Sequence, residues 1–364
     1  MKITGKHIAD LLENWAPLSL QESYDNSGWL VGDPDSEVTG VLCTLDCTEE
    51  VLEEAKSKGC NLIVAHHPIW FGWKKRLGSH YTDRVIIQAV QWGIGIYACH
   101  TNADAVETGV NAKILEKMGL KNGRILSPRF ENLQQLTTFV PVQHADEVRQ
   151  ALFDAGAGWV GNYSHASFNT EGVGTFKGEE GSAPTLGRVG QVERVQEMKI
   201  EVLVPKWKQR EVISALHRVH PYEEVAYFLT SLQNAHQQTG MGMVGELNEA
   251  ISWESFVHLV KTEFHVQVVR HTRAQGDVKK IAVCGGSGSF LLNDAIRAGA
   301  DVFLTADFKY HEFFEADGKI VVADIGHYET EQFTSEIFCD LIQEKFPNFA
   351  VLKSTIRTNP VNYS

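Results

Sequence analysis

The sequence predicts a duplicated α/β core interrupted by a ferredoxin-like α+β insert, and three observations predict it. Strand-helix-strand runs fill the stretch between Val38 and Ala98, two further strand-helix-strand units of similar size fill the middle of the chain, and from Ile251 the first order returns. The core halves are expected over residues 1–125 and 241–364, with the insert over residues 126–240. A chain of 364 residues is long enough for this division and can bury a sizeable core without disulfide or metal staples.

Taken in order, Ile3, Ile8, Leu11, Leu12 and Trp15 are spaced like one face of an amphipathic helix. Turn-forming residues from Glu22 to Gly28 then lead into a short apolar run. Val38 to Leu45 reads as a strand, Thr48 to Lys58 as a helix capped by Thr48 and closed by Gly59, and Asn61 to Ala65 as the next strand. This last strand is apolar without alternation, as a strand covered on both faces should be, and it ends in His66-His67-Pro68. A helix over Asp83 to Trp92 and a strand over Ile94 to Ala98 follow, running into His100-Thr101-Asn102-Ala103-Asp104.

The composition changes around Asn122 to Asn132. In the insert, Leu136 to Val142 reads as strand, His144 to Ala155 as helix, Tyr163 to Phe176 as one or more strands, Met198 to Val204 as strand, Trp207 to Val219 as helix and Val225 to Leu232 as strand. The Gln- and Gly-rich stretch Asn234 to Gly245 reads as its exit. Beyond Ile251, Lys280 to Cys284 is a strand, Phe290 to Ala298 a helix, and Asp301 to Thr305 a strand ending in Ala306-Asp307-Phe308-Lys309. A helix is expected before the strand Lys319 to Ala323, which runs into Gly326-His327 and Glu331. His100 with Asp104 thus corresponds to His327 with Glu331, which points to an internal duplication.

Composition excludes several functions. With 46 acidic against 33 basic residues and a formal net charge of −13, the chain offers no extended nucleic-acid surface. No stretch approaches the roughly 20 apolar residues of a membrane span, and the N-terminus lacks a signal-peptide core. The six scattered cysteines (Cys43, Cys47, Cys60, Cys99, Cys284 and Cys339) form neither a zinc ribbon nor a secreted framework, so free thiols in a reducing cytoplasm are expected.

In α/β sheets, functional groups gather beyond the carboxyl ends of the strands. Four such ends carry His66 and His67, His100 and Asp104, Asp307 and His311, and His327 and Glu331. Adjacent residues on extended backbone point apart, so His66 and His67 suit two neighbouring ions better than one. The i, i+4 pairs can each converge on one helical face. Mixed imidazole and carboxylate donors suit zinc, iron, manganese or nickel better than calcium. The Gly-rich turn Cys284 to Ser289 is a candidate phosphate contact through Gly286, Ser287 and Gly288, but the same glycines also suit a plain tight turn, and a Walker lysine is missing. His220-Pro221-Tyr222-Glu223-Glu224 reads first as a helix-to-strand turn.

Several of these motifs together are similar to a known family. Asp25-Asn26-Ser27-Gly28 with Val31-Gly32, His66-His67-Pro68, the segment His100 to Asp104, Thr305-Ala306-Asp307 with Lys309-Tyr310-His311, and Gly326-His327 with Glu331 resemble the dinuclear-metal family called GTP cyclohydrolase 1 type 2, or NIF-three-like, across essentially the whole chain. The resemblance implies two divalent metal ions per subunit, zinc foremost, held by His66, His67, Asp104, His327 and Glu331, with Glu331 as the bridge. His100 matches a family position near the metals, as ligand or as a residue behind them. It also implies a cytoplasmic homohexameric ring and a small nucleotide substrate. The expected reaction is hydrolytic opening of the guanine imidazole ring of GTP, with formate released on the way to dihydroneopterin triphosphate. In it His100, Asp307 or Lys309 would position substrate or shuttle protons. The residues leave open a non-catalytic alternative: a metal store, insertase or partner-binding ring.

Overall fold

The structure is a computed structural model describing residues 2–72 and 74–364. The chain forms two compact units, Met1–Ser127 with Gln238–Ser364, and Pro128–Gln237. In the first unit, helix α1 (Gly5–Trp15) precedes strands β1 (Gly28–Val31) and β2 (Val41–Thr44), helix α2 (Glu49–Ser57) and strand β3 (Leu62–Ala65). Thr48 caps α2 by accepting the Val51 N–H. Helix α3 (Tyr81–Trp92) stops at Gly93, whose φ of +64° a side chain would strain. Strand β4 (Gly95–Ala98) and helices α4 (Thr101–Asp104) and α5 (Val110–Lys117) follow, then strand β5 (Lys121–Arg129).

The second unit runs β6 (Leu133–Pro141), α6 (Ala145–Asp154), β7 (Ser167–Lys177), β8 (Val192–Pro205), α7 (Gln209–Val219) and β9 (Tyr227–Ser231). Its sheet has the order β7-β8-β6-β9 and is antiparallel throughout, the order of a β-α-β-β-α-β module. Leu136 and Val140 of β6 and Ile200, Val202 and Val204 of β8 bury one face of that sheet against Val148, Leu152, Val212 and Leu216 of the helices. Strand β8 begins at Val192 rather than Met198, because residues 192–197 pair with β7 but are mostly polar and exposed and give little apolar signal.

The chain returns through β10 (His236–Ile251), α8 (Trp253–Glu263), β11 (Arg270–His271), β12 (Val278–Ser287), α9 (Leu292–Arg297), β13 (Val302–Ala306), β14 (Val321–Asp324), α10 (His327–Glu331), α11 (Thr334–Lys345) and β15 (Val351–Lys353). Residues 234–245, read from sequence as an exit segment, belong largely to β10, a ladder strand against β12. The boundary between the two units, at Gln237, does fall within this stretch, and its glycines include one in close packing: a Cβ on Gly242 would lie 2.8 Å from Leu291 and 2.9 Å from the Val283 carbonyl. Between β13 and β14 the expected helix is a 3₁₀ turn, Glu312–Ala316, ended by Asp317 at φ +47°.

The duplication is visible in the sheets. Strands β2, β3 and β4 are parallel neighbours with β1 antiparallel at their edge; β12, β13 and β14 are parallel neighbours with β11 antiparallel at theirs. Every residue of β2, β3, β4 and β13 is buried. In β12, Ile281 and Val283 face one apolar cluster while Ala282 and Cys284 face another, so this sheet is covered on both sides. Parallel strands put all their carboxyl ends on one edge of each sheet, and the polar residues follow directly after those ends.

Candidate metal centre

His66 leaves the end of β3 into a fully buried position. Its Nδ1 donates to the Cys99 carbonyl at 2.9 Å. A carbonyl only accepts, so this bond fixes the tautomer and leaves Nε2 as a lone pair, 3.6 Å from Asp104 Oδ1 and 3.8 Å from Glu331 Oε1. Among the described residues neither His66 Nε2 nor Asp104 Oδ1 has a hydrogen-bond partner.

His67 turns the other way. Its Nδ1 donates to Asp46 Oδ1 at 2.7 Å, and its Nε2 lies 3.0 Å from Glu331 Oε2 and 3.4 Å from His327 Nε2. His327 begins α10 after Gly326, whose φ of +100° is costly for any residue with a side chain. Its Nδ1 donates to Asp307 Oδ2 at 2.7 Å, and its Nε2 lies 3.1 Å from Glu331 Oε2, one helical turn on. His100 donates from Nδ1 to Asp25 Oδ1 at 2.8 Å, and the other oxygen of Asp25 accepts from the Thr101 N–H at 3.0 Å. All four rings therefore have Nδ1 tied to an acceptor and Nε2 left for the cluster, the usual arrangement behind metal-ligating histidines.

The donor atoms form overlapping triads, His66 with Asp104 and Glu331, and His67 with His327 and Glu331, each within 4.8 Å. Glu331 belongs to both, one oxygen toward each. His66, His67 and His100 form a third group. Imidazole nitrogens with carboxylate oxygens are a donor set for zinc, iron, manganese or nickel.

Charge is concentrated here. Burial opposes protonation of His67, but Asp46 and Glu331 outweigh it and push its pKa up to about 10. For His327, burial is likewise overcome by Glu331 and Asp307, which push it to about 11. Burial works against Glu331 too, yet His327 and the other rings hold its carboxyl well below the usual range. Among the described residues Asp104 accepts no such hydrogen bond on its Oδ1: burial, then the charge of Glu331, outweigh the opposing pull of His100 and His67 and push it up to about 8.

The structure places the other sequence-derived candidates differently. Asp307 orients His327, so its reach to the cluster is indirect. Lys309 is exposed, 3.9 Å from Glu312, and lines neither triad. In the Gly-rich turn the Gly285 N–H donates to Asn111 and the Gly286 N–H to Thr330, so these groups are already engaged and not free for phosphate. The glycines serve close approach instead. A Cβ on Gly286 would lie 2.4 Å from Glu331 Oε1, and one on Gly288 would lie 2.3 Å from Thr305 Oγ1. His311 follows Tyr310 in the exposed turn and is absent from the triads. Asp46, which sequence reasoning missed, and Asp25, known from sequence only as part of the Asp25-Asn26-Ser27-Gly28 motif, hold His67 and His100. The available signal for Asp46 was its position just past the end of β2, the same kind of place that marked the others.

A cavity of about 450 Å³ adjoins His67 and His327, lined also by Asp46, Arg270, Tyr328 and Tyr363. A larger one, about 790 Å³, is formed within the second unit by β7, residues 178–186 and the Tyr222 turn. It contains none of the triad residues, so size does not mark the site.

Comparisons with known proteins identify the family. The family model described as Duf34/NIF3 (NGG1p interacting factor 3) matches residues 3–360. A Halalkalibacterium halodurans protein named "GTP cyclohydrolase 1 type 2 homolog" is 40% identical over 375 residues, covering 100% of both chains. A Bacillus subtilis protein of the same name is 36% identical over 330 residues, covering 90% of this chain and 88% of its own. Among solved structures, a Bacillus cereus protein related to NIF3 superposes with a TM-score of 0.88 at 37% identity, covering 100% of both chains. The chain belongs to the Duf34/NIF3 family.

Proposed function

We propose that this protein is a dinuclear-metal hydrolase acting on a purine nucleotide, opening the guanine imidazole ring of GTP with release of formate. The observation that carries the reading is the pair of buried, unpartnered atoms, His66 Nε2 and Asp104 Oδ1, set 3.6 Å apart beside Glu331. A buried polar atom without a partner costs about 1–3 kcal/mol, and a cation between the two removes that cost. The name carried by the relatives, GTP cyclohydrolase 1 type 2 homolog, supports the choice of substrate.

His66, Asp104 and Glu331 would hold one divalent ion, and His67, His327 and Glu331 the other, zinc being the first choice. When bound, such ions supply Lewis acidity and lower the pKa of water to about 7. The chain's own residues do the rest. Asp46, Asp307, Asp25 and the Cys99 carbonyl keep the four rings in one tautomer and one orientation. His100 sits within 5.3 Å of the His67 ring with Asp25 behind it, so its Nε2 is the group placed to take or return a proton. The cavity beside His67 and His327 provides space for a heterocyclic base.

Incubation of zinc-loaded protein with GTP tests the proposal, reading formate and pterin fluorescence. Both products are expected from wild type and neither from His67→Ala. Absence of product from the loaded wild type, across guanine and adenine nucleotides, would remove the hydrolase. The homohexameric ring implied by the resemblance is part of the same proposal, and sedimentation velocity reads it.

A further inference from the structure

After β15 the chain runs back to the cluster. Ser354 donates its N–H to the Cys43 carbonyl and its hydroxyl to Glu54, and Thr355 donates to Glu54 twice. Thr358 then donates its hydroxyl to Asp46 Oδ2 at 2.5 Å, and Asn359 donates its amide to Glu329 Oε1 at 2.8 Å. Asn359 and Tyr363 line the cavity next to His67 and His327.

We propose that the segment Thr358–Tyr363 is a working part of the metal centre: Thr358 positions His67 through Asp46, Asn359 holds the helix that carries His327 and Glu331, and metal and segment bind cooperatively. The proposal rests on the reading that the cluster holds cations.

Asp46 must keep one oxygen 2.7 Å from His67 Nδ1 for that ring to face Glu331, yet its side chain is 33% exposed. A carboxylate still reached by water can rotate unless its second oxygen is also held. Thr358 is the group that holds it. The chain of contacts is therefore Thr358 to Asp46 to His67 to Glu331, with no gap longer than 3.0 Å. The second anchor falls on Glu329, which lies between His327 and Glu331 in α10. Glu329 in turn packs against Gly326, where a Cβ would lie 2.2 Å from its Oε2 and 3.2 Å from the Tyr363 hydroxyl. One segment thus grips both the residue that orients His67 and the helix that supplies the other two ligands of that triad. Ions that draw these two elements together also set the segment's two anchors in register. Linkage then requires that a docked segment raise metal affinity by the factor by which metal raises docking.

Thr358 is a positioning residue, and the isosteric Thr358→Val, which loses the hydroxyl, with Thr358→Ser, which keeps it and loses the methyl, separates its hydroxyl from its bulk. Zinc is titrated into metal-free, full-length protein against a competing chelator, with melting temperature in chelator measured alongside. Amide hydrogen exchange over residues 354–363 is followed with and without zinc. Support for a ligand-orienting residue is worth about 10–100-fold in metal affinity, and a group one bond further out belongs near the lower end. Zinc affinity is expected to fall about tenfold in Thr358→Val and to stay within about twofold of wild type in Thr358→Ser. Zinc is expected to slow exchange of the segment in wild type and to slow it less in Thr358→Val. Equal zinc affinity in Thr358→Val and wild type overturns the inference, and so does exchange indifferent to zinc. A lower melting temperature with unchanged affinity would make the hydroxyl structural only. Wild type that takes up no zinc removes the metal reading itself, a result distinct from the other three.

Discussion

Asp104→Asn separates what the cluster costs from what it binds. Asp104 Oδ1 is buried without a partner among the described residues and shares its site with the Glu331 carboxylate. Burial, then that like charge, raise the acid from its ordinary 3.8 to about 8. For a folded pKa raised in this way, the contribution to stability is full below about 3.8 and is lost as pH rises toward about 8. An asparagine has nothing to titrate, so the variant's advantage in chelator should widen between pH 4 and pH 8. About three units of the shift lie below pH 7, a ceiling of about 4 kcal/mol at about 1.4 kcal/mol per unit. The asparagine amide keeps an unmet hydrogen bond of its own, about 1–3 kcal/mol, which leaves a net gain of about 2 kcal/mol. For a unit of this size that is about 4–8 °C in melting temperature. Zinc reverses the order. At about a thousandfold excess over Kd each occupied site adds about 4 kcal/mol to wild type, and the variant loses that gain at the His66 triad. Differential scanning calorimetry in chelator and in zinc reads both effects. A variant less stable than wild type in chelator, or one that gains as much from zinc, would refute the reasoning.

Other outcomes follow from single contacts. Asp307→Asn, at a φ of +59° that asparagine tolerates, should keep the fold and weaken zinc binding about 10–100-fold in chelator competition, since His327 loses its carboxylate. Gly286→Ala puts a Cβ 2.4 Å from Glu331 Oε1 at φ +61°; about 1–2 kcal/mol of backbone strain and loss of zinc uptake are expected, measured by calorimetry and metal analysis. Burial opposes ionisation of Glu54, but Lys58, Ser354 and Thr355 hold its pKa at about 2. That stability is present above 4.5 and lost as pH falls toward 2, so the protection of the amides of residues 354–356, taken relative to the intrinsic exchange rate at each pH, should fall over that range in wild type; Glu54→Gln should be less protected at neutral pH and show no such step.

The strand ends were the legible part of the sequence. The unalternating run Leu62 to Ala65 does form a strand buried between two parallel neighbours, and the order of elements after Ile251 does repeat that of the first half. That polar residues such as His66, His67, Asp104, His327 and Glu331 follow the carboxyl ends of parallel strands is a consequence of topology that spacing can anticipate; the choice of these five over His100, Asp307 and His311 came from the family resemblance. Long-range support was not legible. His67 and Asp46 are 21 residues apart, and Asp46 and Thr358 are 312 apart, so no local pattern links them. Nor could glycine identity say what approaches: at Gly286, read as a candidate phosphate contact, it is Glu331, and at Gly242, read as part of the exit from the insert, it is Leu291. Helix α5 was missed because Val110, Ile114 and Leu115 give only two turns of periodicity.

The central claim is that Glu331 joins two cation sites. It is tested most directly by the zinc content of purified chain after saturation and dialysis, read by inductively coupled plasma mass spectrometry on wild type and Glu331→Ala. Two zinc ions per wild-type chain and fewer than one in the variant are expected, because both triads lose a ligand at once. One ion or none in wild type, or two retained in Glu331→Ala, would contradict it.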